Sequence, residues 1–288
     1  MSARVLPRGR RVPETGAQSR PTPHRRRAAR APVVVALAPL AVALAPLAVA
    51  LAIAGGCERT PGAGPEPYRT PTPLDAATTG SIAGYLHVRG TKPPRRHVQV
   101  TSDATCAAAH PDGLDVEDVR GDGDMLAEAF VWIARGLEDR AFAVPETPVV
   151  VDQRGCVFEP RIVGARAGQR IEFVNSDDTL HNVHGTPARS SPWNFGLAVR
   201  GARRTITVPT AEVPVGVQCD VHPWMRAALG VVDHPYFAVT GLDGAFTLGR
   251  VPAGQYTLAA WHPRLGKRQQ EIEVAAGATT RVEITFAP

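Results

Sequence analysis

Apolar and polar residues alternate over short stretches of this chain, and nowhere do they recur at sustained helical spacing. Residues 81–88 (SIAGYLHV) and 127–134 (AEAFVWIA) carry the period-two pattern of half-buried strands. A short β run follows at 148–152. Residues 161–163 and 170–174 flank Ala-Gly-Gln, which predicts a hairpin. Runs at 205–208, 213–217 and 229–232 continue the series at comparable spacing. From 236 the texture changes to FAVTGLDGAFTLGRVPAGQYTLAAW, three strands broken by Asp-Gly and Pro-Ala-Gly turns. Strands at 270–274 and 280–286 finish the chain. The expected fold class is all-β, built from sandwiches.

The first 79 residues do not share this pattern. An Arg-rich run ending in His24-Arg25-Arg26-Arg27 precedes an apolar stretch over 31–54, and Ala-Gly-Gly-Cys follows at 54–57. The small residues suit a signal peptidase, and a cysteine directly after them resembles the lipobox of bacterial lipoproteins, with Cys57 as the lipidated terminus. The apolar stretch is also long enough for a signal anchor, although Pro39 and Pro46 weaken a spanning helix. Either reading makes 1–56 a leader, attaches the chain to a membrane, and places the remainder on the periplasmic side. The double arginines admit a twin-arginine export route. Residues 57–79 form a Pro/Thr/Gly linker with too few apolar groups to fold.

Composition agrees with an exported, turn-rich β protein: 27 prolines, 27 glycines and 6% aromatic residues. The sequence pI of about 9.4 invites a nucleic-acid partner, but its charge is local. Residues 1–56 hold nine of the 32 basic residues and one of the 27 acids, which leaves the remainder near −3. Nucleic acid is therefore not an expected partner.

The C-terminal run is thin for an independent sandwich, with five strands in about 50 residues. Its DGAFTL…VPAGQYTL pattern resembles carboxypeptidase-regulatory-like (prealbumin-like) modules, a fold also seen in the middle domain of rhamnogalacturonan lyases. Such modules open with a strand shaped like GSIAGYLHV at 80–88. The resemblance implies that 80–145 and 235–288 build one small sandwich, with 146–234 inserted between its halves.

Two segments in the insert carry the chemistry: IEFVNSDDTLHNVHG (171–185) and CDVHPWMR (219–226). Cys219, His222 and Met225 lie on one tight loop between two strands, and His181-Asn182 stands nearly forty residues upstream. Two imidazoles, a thiolate and a weak axial thioether are the donors of a type 1 copper site. The pair of segments resembles the cupredoxins, and the two-residue gaps in Cys-x-x-His-x-x-Met look like amicyanin, since plastocyanins and azurins have longer gaps before the methionine. The resemblance implies a Greek-key sandwich over about 146–234 holding one copper. His181, Cys219, His222 and Met225 would be its ligands, and Asn182 would tie the two ligand loops together. His184 rivals His181, but residues three apart on an extended segment face opposite ways, and the family match selects His181.

A copper enzyme of this class places a histidine beside the copper cysteine to feed a second centre. Here the neighbours are Gln218 and Asp220, and no nucleophile triad stands out. The expectation is a non-enzymatic one-electron carrier serving a redox partner protein, with an exposed edge of His222, framed by Pro223 and Trp224, as the electron port. The alternative is a carbohydrate- or protein-binding module with a structural or storage copper, in which Trp261 and His262 would lie on a sugar-binding face. Of four cysteines, Cys57 and Cys219 are thus assigned, which leaves Cys106 and Cys156 as a bridge or as two free thiols.

Overall fold

The computed structural model describes residues 70–287. The leader, Cys57 and the linker up to residue 69 lie outside the described residues. Strands β1 (Thr79–Val88), β2 (Arg96–Val98), β3 (Leu114–Val116) and β4 (Phe130–Arg135) come first, with a short helix α1 (Ala104–Ala109) between β2 and β3. The middle of the chain forms β5 (Val149–Arg154), β6 (Val157–Glu159), β7 (Ile162–Arg166), β8 (Arg170–Asn175), β9 (His181–Thr186), β10 (Trp193–Leu197), β11 (Arg203–Thr207), β12 (Glu212–Gln218) and β13 (Arg226–Val232). The last five are β14 (Phe237–Val239), β15 (Ala245–Pro252), β16 (Gly254–His262), β17 (Gly266–Val274) and β18 (Thr279–Phe286). The fold is all-β.

Strands β5 to β13 pair only among themselves, in a sheet ordered β10-β9-β12-β13-β7 and another ordered β11-β8-β5-β6. Their inner faces share one apolar core that includes Val151, Phe158, Val163, Phe173, Val183 and Leu229. The flanking strands make sheets β15-β1-β18 and β14-β4-β16-β17. β1 runs antiparallel to β15 and parallel to β18, so the two ends of the described chain close one sandwich. Ile82, Leu86, Val131, Leu258 and Phe286 fill its core.

A third apolar cluster joins the two sandwiches: Phe130, Trp132 and Ala259 from one, Ile162, Ala228 and Val232 from the other. Its geometry depends on two glycines paired across β13 and β7, Gly230 and Gly164. A Cβ on Gly230 would lie 2.5 Å from the Phe130 ring, and one on Gly164 would lie 2.3 Å from the Phe237 ring. Removing both side chains flattens the strand pair so that stacked Phe130 and Phe237, 5.5 Å between centroids, lie directly on the backbone.

The hairpin expected over 161–174 does not form. The tight turn exists, with Gln169 N–H donating to the Arg166 carbonyl at 3.0 Å, but β7 pairs with β13 while β8 pairs with β5 and β11. Val163 and Ala165 of β7 and Ile171 and Phe173 of β8 all enter the same core. Strands that face each other across a core must belong to opposite sheets, so the turn carries the chain from one layer to the other.

Candidate metal centre

Asn175, at the end of β8, is fully buried and organises the turn that follows. Its Nδ2 donates to the carbonyls of Thr179 (2.7 Å) and Leu197 (2.9 Å), and its Oδ1 accepts from Asp177 N–H at 2.9 Å. This turn delivers His181 to the first position of β9. On the other side, β12 and β13 are joined by residues 219–225, closed by Cys219 N–H to the Met225 carbonyl (3.1 Å) and Met225 N–H to the His222 carbonyl (2.9 Å). The loop therefore projects Cys219 and His222 from the end of the sheet next to β9.

The two segments meet in a buried cluster. His181 Nδ1 and His222 Nδ1 lie 2.9 Å apart, and Cys219 Sγ is 3.8 Å from His222 Nδ1. The donor atoms of all three residues lie within 4.8 Å of one another. His181 and His222 are both 0% exposed, and Met225 lies buried at the base of the loop in the same core. His184, by contrast, points outward and faces the Asp220 carboxylate at 3.0 Å.

Hydrogen bonds join the two ligand segments. Asn182 N–H donates to Cys219 Sγ at 3.5 Å, and Asn182 Oδ1 accepts from Asp220 N–H at 2.5 Å. The Asp220 carboxylate accepts from Gln218 Nε2 (2.8 Å), Asn194 Nδ2 (2.9 Å) and Asn182 Nδ2 (3.1 Å). These donors, with His184, hold its pKa well below the usual carboxylate range.

The electrostatics favour a thiolate. Burial alone would raise the Cys219 pKa, but the hydrogen bond with His181 and the N–H groups of Asn182, His222 and Val221 outweigh it and bring it down. Burial likewise disfavours charge on His181, yet Cys219 and Asp177 overcome that and raise its pKa. At His222 burial dominates, followed by repulsion from His181, and the ring is driven toward neutrality. A sulfur with a lowered pKa beside two imidazoles with Nδ1 atoms turned into the same space is a soft, mixed N/S donor set. Its chemistry fits copper, and Met225, buried on the same loop, offers a thioether.

Comparison with known proteins adds fold-level likenesses. The model for polysaccharide lyase family 4, domain II, matches residues 199–282, which span the last strands of the inserted sandwich and most of the C-terminal ones. No curated protein matches the chain. Among solved structures, a copper-containing nitrite reductase from Thermus scotoductus is 25% identical over 35% of this chain, with a TM-score of 0.28; the alignment spans a quarter of the reductase. A purple cupredoxin from Nitrosopumilus maritimus aligns over 29% of this chain and 98% of its own, at 15% identity and a TM-score of 0.25. A copper(I) amicyanin variant aligns over 35% and 97%, at 20% identity and a TM-score of 0.27. With scores this low, the chemistry rests on the residues of the site.

The electron port expected at His222, Pro223 and Trp224 requires correction. Pro223 is exposed, but the His222 edge is not. Its Nε2 lies 3.7 Å from Cys106 Sγ and 3.8 Å from an Asp103 carboxylate oxygen. Trp224 packs on the His222 ring with centroids 5.2 Å apart and donates its Nε1–H to the Cys156 carbonyl at 2.9 Å. Cys106 and Cys156 are joined by a disulfide, which fastens α1 over the imidazole. Of the two residues expected on a sugar-binding face, His262 is buried, and Trp261 is partly buried against the cluster between the sandwiches.

Asp177 and Asp103 had no part in the expected site. Asp177 accepts from Gly155 N–H (2.7 Å) and Cys156 N–H (2.8 Å), and its Oδ2 lies 2.9 Å from His181 Nε2. Holding Nε2 this way leaves Nδ1 free to ligate. An acid four residues before the ligand, and an Asp three residues before Cys106 as a helix cap, were the available signals.

Proposed function

We propose that this chain is an exported, membrane-tethered one-electron carrier with a single type 1 copper held by His181, Cys219, His222 and Met225. The observation that carries the reading is the convergence of two buried imidazole Nδ1 atoms on a buried sulfur biased toward the thiolate. Bound copper would supply a Cu(II)/Cu(I) couple, and the mixture of imidazole with thiolate and thioether suits both oxidation states.

The residues divide the remaining work. Asp177 orients His181, while Asn182 and Asp220 fix the loop that carries Cys219. The buried pocket excludes water from the sulfur and limits reorganisation when an electron moves. Val221 is 44% exposed and Pro223 is exposed, although His222 between them is a buried proposed ligand. The centre thus lies one residue below an apolar surface, which suits brief docking of a redox partner. Gln218 and Asp220 flank the cysteine, so it lacks the neighbouring histidine that would feed an adjoining copper, and electron carriage is proposed without a catalytic step.

The test is the absorption spectrum of the full chain loaded with Cu(II). An intense visible thiolate-to-copper band is expected, and Cys219→Ser should abolish it without unfolding the protein. A folded, copper-loaded wild type that lacks the band would reject the carrier. It would favour the binding-module alternative, which the match of 199–282 to a lyase-associated domain supports.

A further inference from the structure

Helix α1 belongs to the segment between β1 and β4, outside the inserted sandwich, yet it lies against the His222 ring. Asp103 caps it, accepting from Cys106 N–H at 2.9 Å, and its other oxygen accepts from Thr179 Oγ at 2.7 Å. Thr105 Oγ donates to the Asp178 carbonyl at 3.4 Å, and His110 Nε2 lies 2.8 Å from the Gly155 carbonyl. Together with the Cys106–Cys156 disulfide, these contacts pin α1 to both turns that build the His181 side of the site. The face it presents to His222 consists of the Cys106 sulfur and the Asp103 carboxylate, both directed at Nε2.

We propose that α1 is a positioning cap for His222. Cys106 Sγ accepts from Nε2–H, and the Asp103 charge stabilises that tautomer, so the ring presents Nδ1 toward Cys219 and cannot swing away. Copper(I) tolerates fewer donors than copper(II), and an unrestrained imidazole can leave it. A ring clamped from behind stays in place in both oxidation states. Asp103 and the bridge are thus positioning residues that act through His222. This inference rests on the copper reading above.

The full-length, copper-loaded protein tests it with two readouts, the rate of Cu(I) release to a Cu(I)-specific chelator and the reduction potential. Asp103→Asn retains a helix cap and a partner for Thr179 but removes the charge, and it should raise the potential, because a negative charge near the ring favours Cu(II). Asp103→Ala and the double change Cys106→Ala with Cys156→Ala should loosen the cap and accelerate Cu(I) release about tenfold or more. If the wild type shows the thiolate-to-copper band while folded variants, Asp103→Asn among them, keep its potential and release rate, the cap is structural only and the proposal is overturned. A wild type without the band overturns it together with the copper reading.

Discussion

Asn182→Ala removes one side chain that spans both ligand segments, and the structure fixes what is lost. Three hydrogen bonds disappear: Asp220 N–H to Oδ1 at 2.5 Å, and Nδ2 to Asn194 Oδ1 at 2.8 Å and to Asp220 Oδ2 at 3.1 Å. Each such bond contributes about 0.5–1.5 kcal/mol net. Asp220 is exposed, so water can re-satisfy part of the loss, and the expected cost to the metal-free protein is about 2 kcal/mol. The metal-loaded protein should lose more. Cys219, His222 and Met225 share the loop that Asn182 anchors, and loss of such a support typically weakens metal binding 10–100-fold, or about 1.4–2.7 kcal/mol further. Urea unfolding with and without copper measures both quantities. Asn194→Ala is the control, because it removes outer contacts to Asn182 and Asp220 and leaves the Asp220 N–H clamp intact. Equal losses in the two variants, with no added loss on copper loading, would refute the idea that Asn182 couples the ligand segments.

Two further predictions concern the scaffold. Gly230→Ala ordinarily favours a strand, but here its Cβ would meet Phe130 at 2.5 Å; thermal unfolding should show a loss of about 1–3 kcal/mol from overpacking, while the Cys219 spectrum stays unchanged. His262 is buried with its Nδ1 accepting from Arg264 N–H at 3.2 Å, and burial, with Arg161 nearby, pushes its pKa down from 6.5 to about 4. The unfolded chain therefore binds the proton first, and stability should fall as pH drops from about 6.5 toward about 4, by at most about 3 kcal/mol. Denaturant titrations across that window should show the decline in the wild type and a shallower one in His262→Gln.

The strands were legible where alternation was clean, as in β1 and β18, because one face of each enters a single core, whereas β16 buries Leu258 in one cluster and Ala259 in another. β9 was harder to read because its first inward position carries His181, a polar residue directed at the site, while Asn182 on the other face bonds to Asp220. Helix α1 is only six residues long, too short to set up a periodic pattern. The donor set could be read because its spacing is local: Cys219, His222 and Met225 lie on one loop, and His181 and Asn182 are adjacent. Exposure could not be read that way. The fate of the His222 edge was decided by Cys106, 116 residues away in sequence, and no loop pattern encodes its own cover.

That long-range cover also changes what counts as the functional unit. Residues 146–234 contain every proposed ligand and both sheets of the inserted sandwich, so they resemble a complete copper module. Asp103 and Cys106 lie outside that range, on the connection between β1 and β4 of the flanking sandwich. Excision would uncover the His222 edge and also break the Cys106–Cys156 bridge. It would thereby leave a thiol at Cys156, whose sulfur lies within 4.8 Å of donor atoms of Asp177 and His181. A free thiol there is a soft donor competing for the same metal from the wrong side. With copper bound as proposed, the bridge would do two things for the centre: hold the cap on His222 and keep a second sulfur from ligating. Both depend on the flanking sandwich. That sandwich supplies part of the site as well as a platform, and the smallest unit with the proposed chemistry includes both.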